Sequence, residues 1–172
     1  HAFLYEDGVM RDIGTLGGRL SSGFAINDAG QVTGYSLGLN SAEHAFLYAD
    51  GVMIDLGTLG GRSSYGYGIN GLGQVVGSAD LGNDLDTHAF LYSDGSLTDL
   101  NTLIDPSLGW TLVEARGIND LGQIAAFGCR GDECQALVLD VIPSVPEPGT
   151  SMLMLAGLAV LWLRSSAASR RA

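Results

Sequence analysis

The strongest constraint on the fold is a five-residue sequence, HAFLY, that occurs three times at a nearly fixed interval. It begins at His1, His44 and His88, so the interval is 43 residues and then 44. Two longer motifs keep this spacing: EDGVMRDIGTLGG at 6–18 with ADGVMIDLGTLGG at 49–61, and AINDAGQVTG at 25–34 with GINGLGQVVG at 68–77. Weaker third copies follow at 93–103 and 117–126. Three motifs in phase over three copies indicate a repeat protein.

Each period contains four short segments of strand-forming residues with turn residues between them. In the second copy these segments read SYGYGIN, QVVGSA, HAFLY and SLTDL. Asp-Gly pairs and Asn-x-x-Gly sites provide the positive-φ corners of hairpins. Four hairpin-linked strands in about 44 residues are typical of a β-propeller blade. We predict an all-β, propeller-like repeat domain over residues 1–142, with about three and a third repeats and the missing ones upstream; a β-solenoid is the alternative.

The recurring histidines suggest two interpretations. Equivalent positions around an axis can share a metal, but neighbouring blades usually hold them too far apart for bonds of about 2 Å. The final, partial copy has Gln135 where the histidine stands in the others. The fold therefore does not require the imidazole, and we expect each histidine to cap or hydrogen-bond a neighbouring strand rather than to bind a metal.

The net charge and the missing motifs argue against several classes of function. The chain has a formal net charge of −11 and contains no lysine, so it would repel a phosphate backbone, and we predict no nucleic-acid partner. Nucleophile-elbow, zinc-protease and phosphate-loop motifs are all missing from the sequence. Asp and Glu stand mostly in turns that recur with the repeat. We predict no enzymatic activity and no cofactor, with a carbohydrate-active enzyme on a propeller scaffold as the alternative.

Three groups of residues are candidates for a site. The acidic loop around Asp80, Asp84 and Asp86 is a weak calcium candidate, since calcium prefers oxygen ligands, or simply a solvated turn. Cys129 and Cys134 flank a short turn, and in an oxidising compartment they are expected to form a disulfide. Five aromatic residues can provide a stacking surface for sugar rings or belong to the core and rim of the sheets: Tyr48, Tyr65, Tyr67, Tyr92 and Trp110.

The C-terminal segment differs in amino-acid composition from the repeats. Residues 143–151 form a proline-rich spacer, and residues 152–172 contain the apolar run MLMLAGLAVLWL followed by Arg164, Arg170 and Arg171. Twelve helical residues reach about 18 Å, but Arg164 can snorkel, so a marginal single membrane helix is reasonable. The three arginines then orient the C-terminal end toward the cytoplasm.

Two resemblances follow from these motifs. HAFLY, DLGTLGG and GINDLGQ resemble the HAF family of probable extracellular repeat proteins, which implies an exported β-repeat protein without an established activity. The order of Val145, Pro146, Glu147 and Pro148, the apolar helix and the terminal arginines resembles the PEP-CTERM sorting signal. That resemblance implies a Gram-negative bacterium, export through an N-terminal signal, and an exosortase that removes the tail near Pro-Glu-Pro.

Together these features predict an exported, exosortase-sorted β-repeat protein of the cell surface or biofilm matrix, with a structural or binding role. The resemblance implies that the chain is held at the inner membrane only until it is cleaved. It also implies exopolysaccharide as a possible partner. The alternative function is an extracytoplasmic carbohydrate-binding protein or carbohydrate-active enzyme built on a propeller.

Overall fold

A computed structural model describes residues 1–82, 85–142 and 160–164. These residues form strands joined by short turns, with 3₁₀ turns at Leu100–Thr102 and Pro106–Leu108. The strands are β1 (Phe3–Glu6), β2 (Val9–Asp12), β3 (Gly17–Ile26), β4 (Val32–Gly38), β5 (Glu43–Ala49), β6 (Val52–Gly57), β7 (Gly60–Ile69), β8 (Val75–Leu81), β9 (Thr87–Ser93), β10 (Ser96–Asp99), β11 (Thr111–Ile118), β12 (Ile124–Arg130), β13 (Glu133–Ile142) and β14 (Val160–Arg164).

Within the described residues the strands form four antiparallel sheets in sequence order. The β1–β2 hairpin is one, and three four-stranded meanders follow: β3 to β6 (the first sheet), β7 to β10 (the second sheet) and β11 to β14 (the third sheet). Each HAFLY sequence forms β1, β5 or β9, and each DGVM-type segment forms the strand after it. The prediction of an all-β fold with antiparallel hairpins is confirmed.

The turns explain why the repeat has these residues at its corners. Asp50 and Gly51 have φ angles of 52° and 80°, and Ala49 pairs with Val52 across them. Positive φ at both central residues defines a type I′ turn, whose twist matches the strands it joins. The Asp-Gly pairs at residues 7–8 and 94–95 have the same positive φ angles.

The core consists of apolar layers between successive sheets. Phe46 and Tyr48 from HAFLY pack with Ile13 and Val32 between the β1–β2 hairpin and the first sheet. Between the first and second sheets, Phe90 packs with Ala45, Leu47 and Val75, and it is 0 % exposed. The next layer, between the second and third sheets, contains Val76, Ala89, Leu100, Ile104, Leu112, Ala115, Ile124, Ala126, Leu137 and Leu139. Phe46, Tyr48 and Phe90 of the HAFLY sequences therefore fill the space between repeats, whereas Phe3 and Tyr5 of the first copy are exposed.

The C-terminal segment has a different conformation from the one predicted, as far as it is described. Val160–Arg164 form β14, which pairs antiparallel with β13 from Val138 to Ile142. In the absence of a bilayer, this backbone is satisfied by the free edge of a sheet. The rest of the helix predicted at 152–172 lies outside the described residues, and none of the helices described is long and apolar enough to span a membrane. None of the described sheets closes into a barrel, and a closed propeller ring stays a prediction.

Candidate functional site

Each repeated histidine binds the aspartate that follows it by 11 residues. Nδ1 of His44 lies 2.9 Å from a carboxylate oxygen of Asp55, and His1 and His88 make the equivalent contacts to Asp12 and Asp99 at 2.7 Å. The aspartate also accepts from the backbone at the end of its strand, as Asp55 does from Gly57 N at 2.8 Å. The pair joins adjacent strands of one sheet at its edge. No group of three or more metal-ligating side chains is found among residues 1–82, 85–142 and 160–164.

Replacing His44 with Gln should therefore have a small effect on stability. The imidazole and its carboxylate partner are partly exposed, with relative side-chain areas of 25 % and 46 %, and such pairs contribute at most about 1 kcal/mol. Asp55→Ala is the matched comparison, because it also removes the bond to Gly57 N and should cost about 1–2 kcal/mol. Urea unfolding of the two variants measures the difference. An unfolding free energy reduced more by His44→Gln than by Asp55→Ala would contradict this interpretation.

A buried serine joins the first sheet to the β1–β2 hairpin and the second sheet to the first. Ser64 in β7 accepts from Ala45 N of β5 at 2.9 Å and donates to Gly57 O at 2.5 Å. Ser21 repeats both bonds with Ala2 N and Gly14 O. The third copy lacks the serine, and the Asn101 side chain instead bonds the backbone of Leu112 in the third sheet at 2.7 and 2.9 Å. The DLGTL and DLNTL motifs thus provide connections between sheets.

The Asn-x-x-Gly turns provide a second connection between sheets. Asn70 Oδ1 accepts from Leu72 N and Gln74 N within its own turn. Its Nδ2 donates both to Gln74 Oε1 at 2.7 Å and to the Asn119 carbonyl of the third sheet at 3.1 Å. Asn27 likewise donates to the Asn70 carbonyl at 2.8 Å. The asparagines form a row of hydrogen bonds across all three four-stranded sheets.

The other predicted site residues do not form a common site. Asp80 accepts from Ser63 N and Thr87 Oγ1, each at 3.1 Å, and is engaged within its own sheet. Asp84 lies outside the described residues, so the calcium hypothesis on Asp80, Asp84 and Asp86 stays a prediction. Cys129 and Cys134 form a disulfide across the hairpin of β12 and β13, where they are directly paired.

The five candidate stacking aromatics lie in different places. Tyr48 is buried in the first core layer, and Tyr92 packs against the second. Trp110 lies beneath the guanidinium of Arg130, 4.9 Å from the ring centroid. Only Tyr65 and Tyr67 remain together, with stacked rings 6.3 Å apart. The five residues therefore do not form one stacking surface, because Tyr48 lies in a core layer and Tyr92 and Trp110 pack against core layers.

A different aromatic group forms around Tyr65 and Tyr67. The ring of Tyr67 lies 5.9 Å from Phe24, and the ring of Tyr65 lies 5.5 Å from Tyr35. Phe24 and Tyr35 are themselves 5.5 Å apart. We call these four residues the aromatic strip. Arg116 of the third sheet extends it, with its guanidinium 4.4 Å from the Tyr67 ring centroid.

Backbone irregularities position this strip. The strand register shifts between Gly23 and Ala25 and again between Gly66 and Gly68, so Phe24 and Tyr67 stand at the extra residues. A third shift brackets Arg116. Such bulges redirect a side chain away from its usual face. A sequence signal existed, since Phe24, Tyr67 and Arg116 each precede the asparagine of the Asn-x-x-Gly turn by three residues.

Charged groups border the strip, and one of them helps to keep a tyrosine hydroxyl protonated. Tyr65 Oη donates a hydrogen bond to the carboxylate of Glu43. Burial, reinforced by this bond, raises the pKa of the Tyr65 phenol well above its ordinary value, so the hydroxyl keeps its proton. Arg116 donates from Nη2 to Glu114 at 2.8 Å. The strip thus combines apolar ring faces with carboxylates and a guanidinium at its border.

Comparisons with known proteins match the C-terminal segment to a sorting motif. Neither the curated proteins nor the solved structures gave a match. The residues Val145, Pro146, Glu147 and Pro148, together with Arg170 and Arg171, lie outside the described structure but inside a family match. Residues 144–171 match the model of the PEP-CTERM protein-sorting motif, which supports an exported protein that an exosortase sorts to the cell surface.

Proposed function

We propose that this chain displays a rigid β-repeat domain at the cell surface, where the domain has a structural or binding role in the extracellular matrix. The observation that carries the proposal is the sorting motif at residues 144–171. The repeat domain is the part of the chain that is displayed. We infer that it is rigid, because buried hydrogen bonds as well as apolar layers link its sheets. A disulfide at Cys129 and Cys134 suits an oxidising compartment.

The tail has the chemistry that sorting requires. Three prolines at 143, 146 and 148 keep a spacer extended and accessible to a protease. The apolar run after Met152 can form the predicted helix once a bilayer replaces water around it, since only a helix satisfies its own backbone there. Arg164, Arg170 and Arg171 then retain the C-terminal end on the cytoplasmic side.

The repeat domain is best explained as part of a HAF-type propeller. Successive meanders pack in sequence order, and the asparagine row links the turns that directly follow β3, β7 and β11, the first strands of the three four-stranded sheets. In a propeller the first strands of all blades surround a central axis. Closure needs more blades than the described sheets provide, so we propose the ring for a longer form of the protein. Enzymatic activity is not part of this proposal.

The sorting step is tested by a double substitution, Pro146→Ala with Glu147→Ala. The chain is fused behind a Sec signal sequence, expressed in an exosortase-containing Gram-negative host, and followed by immunoblotting of membrane and surface fractions. We expect the variant to insert normally but to remain uncut at the inner membrane, because the recognition sequence is lost while the helix and arginines remain. Wild-type chain should appear shortened in the surface fraction.

The matched control is Pro143→Ala, which removes a proline from the same spacer just outside the matched residues. It should be processed like the wild type. If the double variant is also processed like the wild type, the tail is an ordinary membrane anchor and the sorting proposal is wrong.

A further inference from the structure

The residues of the aromatic strip differ between repeats that are otherwise nearly identical. Three positions before the turn asparagine stand Phe24, Tyr67 and Arg116, and five positions before it stand Ser22, Tyr65 and Glu114. Ile26, Ile69 and Ile118, which directly precede the asparagines, do not vary. Phe46 and Phe90, which pack between sheets, are the same residue in their two copies. The variable positions lie outside the three core layers, and they meet along β3, β7 and β11.

These variable side chains are also accessible. Phe24 is 47 % exposed, Arg116 is exposed, and Tyr65 and Tyr67 are half-buried. Phe24 and Tyr67 occupy the extra residues of bulges, which disrupt the ladder hydrogen bonds locally. A fold that only needed to stack would gain more by pairing those residues regularly.

We propose that the aromatic strip, with Glu43 and Arg116 at its border, binds a neutral glycan. Rings with exposed faces pack against the C–H faces of pyranose rings, while carboxylates and a guanidinium hydrogen-bond the sugar hydroxyls. Three further facts favour this ligand class. The Tyr65 phenol keeps its proton and is held by Glu43, so the site is organised before binding. Arg116 extends the row onto a third sheet, which suits an elongated ligand. The net charge of −11 disfavours a polyanion.

The inference deepens the proposed surface role and rests on it only for the location of the ligand. Binding by purified protein does not depend on processing, so the two proposals can fail separately. The strip follows β3, β7 and β11 across three sheets and would line the central channel of the proposed ring, so it is expected to contact several consecutive sugar units.

The experiment is isothermal titration of the full chain in a non-glycosidic detergent, because maltoside detergents would compete for the site. The probes are two neutral hexamers, cellohexaose and chitohexaose, and one anionic hexamer of alginate. We expect at least one neutral hexamer to bind at least about tenfold more tightly than alginate. Tyr67→Ala should weaken that binding by about tenfold or more, whereas Tyr67→Phe, which keeps the ring, should stay within about twofold.

Leu39→Ala is the matched control, because Leu39 is an apolar residue that is 89 % exposed on a turn away from the strip. It should bind like the wild type, and thermal melting should show that all variants are folded. Three results would overturn the inference: binding to none of the three hexamers, equal binding by Tyr67→Ala and wild type, or alginate binding as tightly as the neutral hexamers. A loss of processing with sugar binding intact would contradict only the sorting proposal.

Discussion

Replacing Asn70 with Ala should lower the free energy of unfolding by about 3 kcal/mol. Asn70 is 3 % exposed, and its side chain makes three bonds within the turn and one to the Asn119 carbonyl of the next sheet. Alanine removes all four and leaves the partner groups without their bonds at a buried place. Thermal unfolding followed by circular dichroism should show a melting temperature lower by roughly 6–12 °C.

Asn119→Ala is the matched control for this effect. Asn119 makes the same three bonds within its turn, but it is exposed and its side chain has no bond to another sheet in residues 1–82, 85–142 and 160–164. We expect a loss of about 1 kcal/mol, because water replaces the lost partners. Equal losses for the two variants would show that the connection between sheets contributes nothing.

Replacing Gly77 with Ala should destabilise the second sheet by about 3 kcal/mol or more. A Cβ at Gly77 would lie 1.9 Å from Tyr65 O and 2.8 Å from the Phe90 ring. Both neighbours are fixed, one as backbone and the other as a fully buried ring. The strands β7, β8 and β9 of this sheet would have to move apart, and circular dichroism should then show loss of the β signal at a lower urea concentration than in the wild type.

Gly117→Ala is the control for the effect of replacing a strand glycine with alanine where no clash results. A Cβ there would have nothing within 4 Å, so the change should stay within about 0.5 kcal/mol of wild type. Gly34→Ala repeats the clash in the first sheet, where a Cβ would lie 1.9 Å from Ser22 O. A Gly77→Ala variant as stable as Gly117→Ala would mean that the backbone of β7 and the Phe90 ring do not lie as close to Gly77 as described.

The strands and turns could be predicted from the sequence because their signals are local. Asp-Gly is a residue pair that favours positive φ at both positions, and Asp50 and Gly51 adopt it. HAFLY places successive side chains on opposite faces of one strand, so Phe46 packs in one core layer while Ala45 and Leu47 pack in the next. The role of His44 was only partly predictable. Its partner Asp55 lies 11 residues away, and only the hairpin register between β5 and β6 shows that the two side chains meet.

The aromatic site could not be predicted as a whole, because it depends on contacts between repeats. Tyr65 and Tyr67 were candidates because tyrosine can stack on a sugar ring. Tyr48 and Tyr92 were candidates for the same reason, but they lie in or against the core. Which aromatics are accessible is decided by the bulge at Tyr67 and by the packing of one sheet on the next. The bulged residue can be located from its place three residues before the turn asparagine, but the packing of one sheet on the next is not encoded in a short motif.

The central claim, that an exosortase sorts this chain to the surface, is tested most directly by intact mass. The protein is recovered from the surface fraction of a host with the exosortase and from the membranes of the same host without it. The account predicts a chain that ends near Pro146, Glu147 and Pro148 in the first case and the uncut C-terminus through Ala172 in the second. An identical uncut mass in both hosts would contradict it.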